Sequence, residues 1–192
     1  MSFQMYVPTR ILFGAGQLNH LHEQAMPGTK ALITISNGKS TIENGALSRT
    51  QEELEKAGIP FVVFNKIMAN PLKSTVMEGA ACARENGCDF IVALGGGSVM
   101  DASKAIAAMA TNDGDLWDYV AGGTGKALPL KEEPLPIIAV TTTAGTGSEV
   151  DQYGVISNDE TKEKIGFGGY DSLFPRIAVV DPELMTSVPP KF

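Results

Sequence analysis

The sequence is poor in cysteine, histidine and aromatic residues and has no long apolar run. Its two cysteines, Cys82 and Cys88, are too few for a disulfide framework. Six residues apart around an expected helix end, they read as reduced, structural thiols of a cytoplasmic protein. Its two histidines, His20 and His22, stand two apart. On a helix they point to different faces, which suits a solvated surface better than a metal site. No apolar stretch nears the ~20 residues that span a bilayer. The start, Met1 to Tyr6, has no basic segment leading into an apolar run, so no signal peptide is expected. Fifteen basic residues stand against 22 acidic ones, a net charge of −7. That balance disfavours nucleic acid or an anionic membrane as the main partner.

What is present is a soluble, globular composition: 192 residues, 43% hydrophobic and 19% charged, enough for one sizeable core or two small ones. The rest of the chain is ordered around Phe90-Ile91-Val92-Ala93-Leu94-Gly95-Gly96-Gly97-Ser98-Val99-Met100-Asp101-Ala102-Ser103-Lys104. The apolar run suits a parallel strand covered on both faces. Three glycines let the backbone turn sharply and let a ligand approach with no Cβ between. Ser98 is placed as a helix N-cap, and Asp101 as a favourable early carboxylate. The free N–H groups of such a helix start suit a phosphate. A tight strand-to-helix turn without a ligand is the plainer alternative.

Taken in order, Met5-Tyr6-Val7 and Arg10-Ile11-Leu12-Phe13, split by Pro8-Thr9, predict a β-hairpin. Gly14-Ala15-Gly16 lacks the third glycine of a dinucleotide fingerprint, since Asn19 stands there, and reads as a turn before a short helix. Strands are expected over 30–35, 61–64 and 135–141, with shorter ones at 155–156, 164–165 and 176–180. Helices are expected over 40–57, 73–86 and 98–111, with a short piece near Trp117. The long Gly- and Pro-rich stretch from Asn112 to Pro136 reads as functional or mobile. Alternating strands and helices predict an α/β fold, an open and mostly parallel sheet with flanking helices and the N-terminal β-hairpin. Polar turns at 36–40, 95–98 and 141–148 all follow strands, so they are expected to converge on one crevice beyond the strand carboxyl ends.

The motifs Leu12-Phe13-Gly14-Ala15-Gly16, Asn70-Pro71, Gly95-Gly96-Gly97-Ser98 with Asp101 and Lys104, Thr142-Thr143-Ala144-Gly145-Thr146-Gly147-Ser148-Glu149-Val150 and Val180-Asp181-Pro182-Glu183-Leu184 stand in this order. Together they resemble the N-terminal half of the iron-containing (group III) alcohol dehydrogenases. The resemblance implies a Rossmann-like dinucleotide-binding domain over 1–182 and the start of a hinge over 183–192. It places Gly96, Gly97, Ser98 and Asp101 along the diphosphate and toward the nicotinamide. Thr142, Thr143 and Thr146 would flank the adenosine and diphosphate, and Asn70 and Lys164 would approach a ribose. Hydroxyls, glycine N–H groups and a lysine suit phosphate oxygens. Taken singly, Thr142 and Thr143 also fit a plain strand end, and Lys164 a solvated surface lysine.

Two departures bear on function. Many NAD-using relatives carry an aspartate after the second strand, and here Ser36 stands at that place. Its absence removes a repulsion toward a 2′-phosphate, and Gly38, Lys39 and Ser40 offer direct contacts, so NADP(H) is expected over NAD(H). The family's metal ligands, an aspartate and three histidines, lie in a helical C-terminal domain, and no histidine follows His22. Fe(II) or Zn(II) is therefore expected only in a longer protein. Residues 1–192 alone are expected to bind dinucleotide weakly and to reduce nothing. The longer protein would move hydride between nicotinamide and a primary alcohol or its aldehyde, and would form a homo-oligomer. A dehydroquinate-synthase-like domain and a stand-alone nucleotide-binding module are the rival readings.

Overall fold

The computed structural model describes residues 2–186. In chain order its elements are β1 (Arg10–Phe13), a 3₁₀ turn (Gln17–Glu23), β2 (Ala31–Ser36), α1 (Ser40–Glu43), α2 (Ala46–Lys56), β3 (Phe61–Ile67), α3 (Lys73–Glu85), β4 (Phe90–Gly95), α4 (Gly97–Thr111) and α5 (Leu116–Tyr119). β5 (Ile137–Thr141), β6 (Tyr153–Ser157), β7 (Lys164–Gly168) and β8 (Ile177–Val180) follow, with 3₁₀ turns at Ser148–Val150, Asp171–Leu173 and Pro182–Met185. Among these helices none is long and apolar enough to cross a membrane.

Six strands form one sheet in the order β1-β8-β5-β4-β2-β3, and every pairing in it is parallel. The apolar runs explain its place in the middle of the molecule. β2, β4 and β5 send alternate residues to two cores: Leu32, Ile91 and Ala139 pack under α3 and α4, while Ile33, Val92 and Val140 pack under α2 and the first 3₁₀ turn. With both faces covered, these strands show no alternation of polarity. β6 and β7 form a separate antiparallel ribbon. There Gly154 lets the ribbon touch α4: a Cβ on it would lie 2.9 Å from the Asp101 Cα.

Three expectations change. The N-terminal hairpin does not form; Arg10–Phe13 pairs in parallel with β8 and residues 2–9 hold no strand. A two-residue hairpin turn needs positive φ, which Pro8 forbids. The helix expected over 40–57 breaks into α1 and α2, where the Asn44 side chain accepts a hydrogen bond from the Ala46 N–H at 3.0 Å. The mostly parallel sheet is wholly parallel, and its antiparallel strands stand apart as the ribbon. The expected hinge over 183–192 begins in the turn Pro182–Met185, and its remainder from 187 lies outside the described residues. Cys82 and Cys88 are free thiols.

Candidate functional site

The chain leaves β2 toward β3 on one side and leaves β4 toward β5 on the other. Between β2 and β4 the strand order therefore reverses, and a crevice opens beyond their carboxyl ends. α4 starts there. Gly96, extended at φ −89 and ψ −171, is its cap residue, and no side chain caps it. Ser98 is thus not the N-cap; it already lies inside the first turn, and Asp101 lies in the second. Val99 and Met100 donate to the Gly96 carbonyl. The first-turn amides of Gly97 and Ser98 have no acceptor within the helix.

The glycines matter for closeness. A Cβ on Gly96 would lie 2.9 Å from Thr143 Oγ1, and one on Gly97 would lie 2.7 Å from Thr146 Cγ2. Bare backbone here brings two hydroxyl-bearing residues of the β5 turn against the start of α4. One part of the crevice, ≈ 260 Å³, is lined by Ser36, Gly96 and Thr143 with Met68 and Ala69. The other, ≈ 470 Å³, is lined by Asn70, Asp101, Thr146 and Lys164 with the ribbon residues Tyr153 and Val155. Gly97 and Ser98 border both parts.

Nine of the expected residues therefore meet: Ser36, Asn70, Gly96, Gly97, Ser98, Asp101, Thr143, Thr146 and Lys164. Four do not line the crevice. Thr142 closes the end of β5 onto β4 through its amide, 3.0 Å from the Gly95 carbonyl. Gly38, Lys39 and Ser40 are exposed, and the Lys39 carbonyl accepts from Ile42 and Glu43 to start α1. Asn70 holds φ 55, a left-handed conformation that asparagine tolerates better than most residues. Its Oδ1 accepts from Lys164 Nζ at 2.6 Å, which fixes the one lysine of the crevice lining over its larger part.

Sequence reasoning missed Ser148, Asp151, Tyr153 and Val155 as lining residues. The available signal was Gly154 inside a short strand, since a glycine there marks a close backbone approach. It also gave Lys104 no role. Lys104 is 1% exposed and donates to Ser148 Oγ at 2.8 Å, Asp151 Oδ1 at 2.6 Å and the Tyr153 carbonyl at 2.7 Å. Burial pushes its ammonium below the usual lysine range, against the opposing pull of Asp151, Asp101 and Glu149. Among the described residues no group of three or more His, Cys, Asp and Glu side chains is placed to hold a metal ion. The described residues therefore do not fit a resident iron.

A doubly wound, Rossmann-like α/β unit with a glycine turn at its switch point is the class this geometry defines. The sequence profile described as "Iron-containing alcohol dehydrogenase" matches residues 8–182, and the chain belongs to that family. It is 40% identical over 188 residues to the "Probable NADH-dependent butanol dehydrogenase 1" of Bacillus subtilis, covering 98% of this chain and 47% of that protein. Its fold matches the crystal structure of an archaeal halo-thermophilic Red Sea brine pool alcohol dehydrogenase with a TM-score of 0.90 at 38% identity, over 100% of this chain and 49% of that one. The sulfoacetaldehyde reductase of Bifidobacterium kashiwanohense, solved in complex with NAD+, matches with a TM-score of 0.85 at 38% identity, over 100% and 49% of the two chains. The chain spans about half the length of the curated relatives it matches.

Proposed function

We propose that the crevice binds a nicotinamide dinucleotide, and that the protein serves a metal-dependent transfer of hydride between that cofactor and a primary alcohol or aldehyde. The observation that carries this reading is the meeting of three strand-end turns at the uncapped start of α4. The Gly97 and Ser98 amides, with the Thr143 and Thr146 hydroxyls, would bind the diphosphate. Asn70 and Lys164 would hold the adjoining ribose, and Asp101 stands toward the nicotinamide. Relatives named as NADH-dependent dehydrogenases support the same reading.

The choice of cofactor is a finer proposal. Ser36 places no carboxylate at the β2 end, which favours NADP(H). The names of those relatives weigh toward NADH. Titrating the purified protein with each cofactor, following its fluorescence at low salt, decides both points. Saturable binding of either supports the dinucleotide reading, and tighter NADPH binding supports the role of Ser36. Tighter NADH binding would sink that role and leave the crevice assignment standing. Because no metal cluster lies among the described residues, residues 1–192 are expected to oxidise no NADPH in the presence of aldehyde, with iron or zinc added. Among the described residues β1 leaves one sheet edge unpaired, with Phe13 exposed beside it; a homo-oligomer follows as a proposal that sedimentation checks.

A further inference from the structure

A polar chain runs from the crevice lining, at Asp101, Ser148 and Asp151, back to the buried Lys104. Asp101 and Lys104 are three residues apart on α4 and share one face. Ser148, buried at 3% exposure, sits between them. Lys104 Nζ donates to Ser148 Oγ at 2.8 Å, so the single Ser148 proton is free to go to Asp101 Oδ1, 2.7 Å away. Asp101 Oδ2 accepts from the Val155 N–H at 3.0 Å. The two other Lys104 protons go to Asp151 Oδ1 and the Tyr153 carbonyl, and Asp151 Oδ1 also accepts from the Tyr153 N–H at 2.8 Å. Three acceptors thus use all three protons of an ammonium. A neutral amine has two, and would leave one of these groups unpaired.

We propose that Lys104 is the positioning residue of the crevice: it sets the orientation of Asp101 and the standing of the Tyr153–Val155 wall, and its charge offsets the carboxylates that would otherwise repel an anionic dinucleotide. The groups facing it are Ser148 and Asp151 from the loop before β6, Tyr153 from β6 and Asp101 from α4, with Glu149 close enough to act on its charge. Without that buried cation, Asp101 and Asp151 would meet a diphosphate with only Lys164 to oppose them. This inference rests on the dinucleotide reading of the crevice.

The test is the dissociation constant of NADH or NADPH, whichever binds the wild type more tightly, for the wild type, Lys104→Met and Ser148→Ala, with melting temperature recorded in parallel. Ser148→Ala removes the relay to Asp101 but keeps the charge, and it stays informative if Lys104→Met does not fold. The expected result for Ser148→Ala is binding about tenfold weaker, with a lowered melting temperature because a buried Lys104 proton loses its acceptor. Burial lowers the Lys104 ammonium below the usual lysine range, so in the wild type affinity should fall as pH rises and Lys104 loses its proton. The variants keep Lys164, so a profile flatter in Lys104→Met than in the wild type belongs to Lys104. Variants that bind as the wild type does, with the same pH profile, overturn the inference alone. A wild type that binds neither cofactor overturns the crevice reading and this inference with it.

Discussion

A single methyl group separates the roles of two glycines. Gly97→Ala adds a Cβ 2.7 Å from Thr146 Cγ2 at a position already helical in φ and ψ. The helix itself gains slightly from alanine, so melting temperature should hold while dinucleotide affinity falls about tenfold, read by the same titration. Gly58→Ala does the reverse. Gly58 has φ +72 and open space around its missing Cβ, so binding should hold while stability falls by about 1 kcal/mol. Asp181 carries a heavier role. It is fully buried and accepts from the amides of Gly16, Leu18 and Glu183 at 3.0–3.1 Å. Asp181→Ala should cost about 2–4 kcal/mol in urea unfolding, since it strands those donors; Asp181→Asn, keeping one acceptor oxygen, should cost less. Residue identity was legible in the sequence where motif and backbone agree, as at Gly96, Gly97 and Thr146. The Asp101–Ser148–Lys104 chain was not, because it joins residues more than forty positions apart through side chains that carry no local pattern.

At the scale of elements, the stretch from 121 to 136 is irregular, as its glycines and prolines predict, yet it is fastened at two points. Asn112 Oδ1 accepts from the Lys131 and Glu132 amides at 2.8 and 3.0 Å. Glu163 accepts from the Thr124 amide and hydroxyl, the Thr161 hydroxyl and the Trp117 indole. The Thr124 and Thr161 hydroxyls lower its carboxyl to about 2 from 4.5. A lowered carboxyl contributes stability above its unfolded value and loses it as pH falls. The difference in urea midpoint between the wild type and Glu163→Gln should therefore be full at about pH 6 and fade between 4.5 and about 2. At neutral pH, trypsin should cut Glu163→Gln faster at Lys126. Strands and helices were legible because their apolar runs are long. The hairpin was misjudged because Arg10–Phe13 is too short to show its partner, and the partner it takes lies on β8, far along the chain.

For the whole molecule, the sheet order explains why one crevice collects so many residues: β2, β4 and β5 end side by side, and the ribbon of β6 and β7 closes over α4. Free thiols at Cys82 and Cys88 mean that a reducing agent should leave the melting temperature unchanged. The pairing of β1 with β8 has a consequence in time. Arg10–Phe13 is made first, but its partner Ile177–Val180 and the Asp181 that pins the adjoining 3₁₀ turn are made some 165 residues later. At ribosomal speed that interval is on the order of 10 s. Through all of it the first strand has no neighbour in its sheet, and Leu12 and Leu18 have no finished core to enter. High contact order of this kind slows folding and prolongs the exposure of sticky surface to chaperones or to other nascent chains.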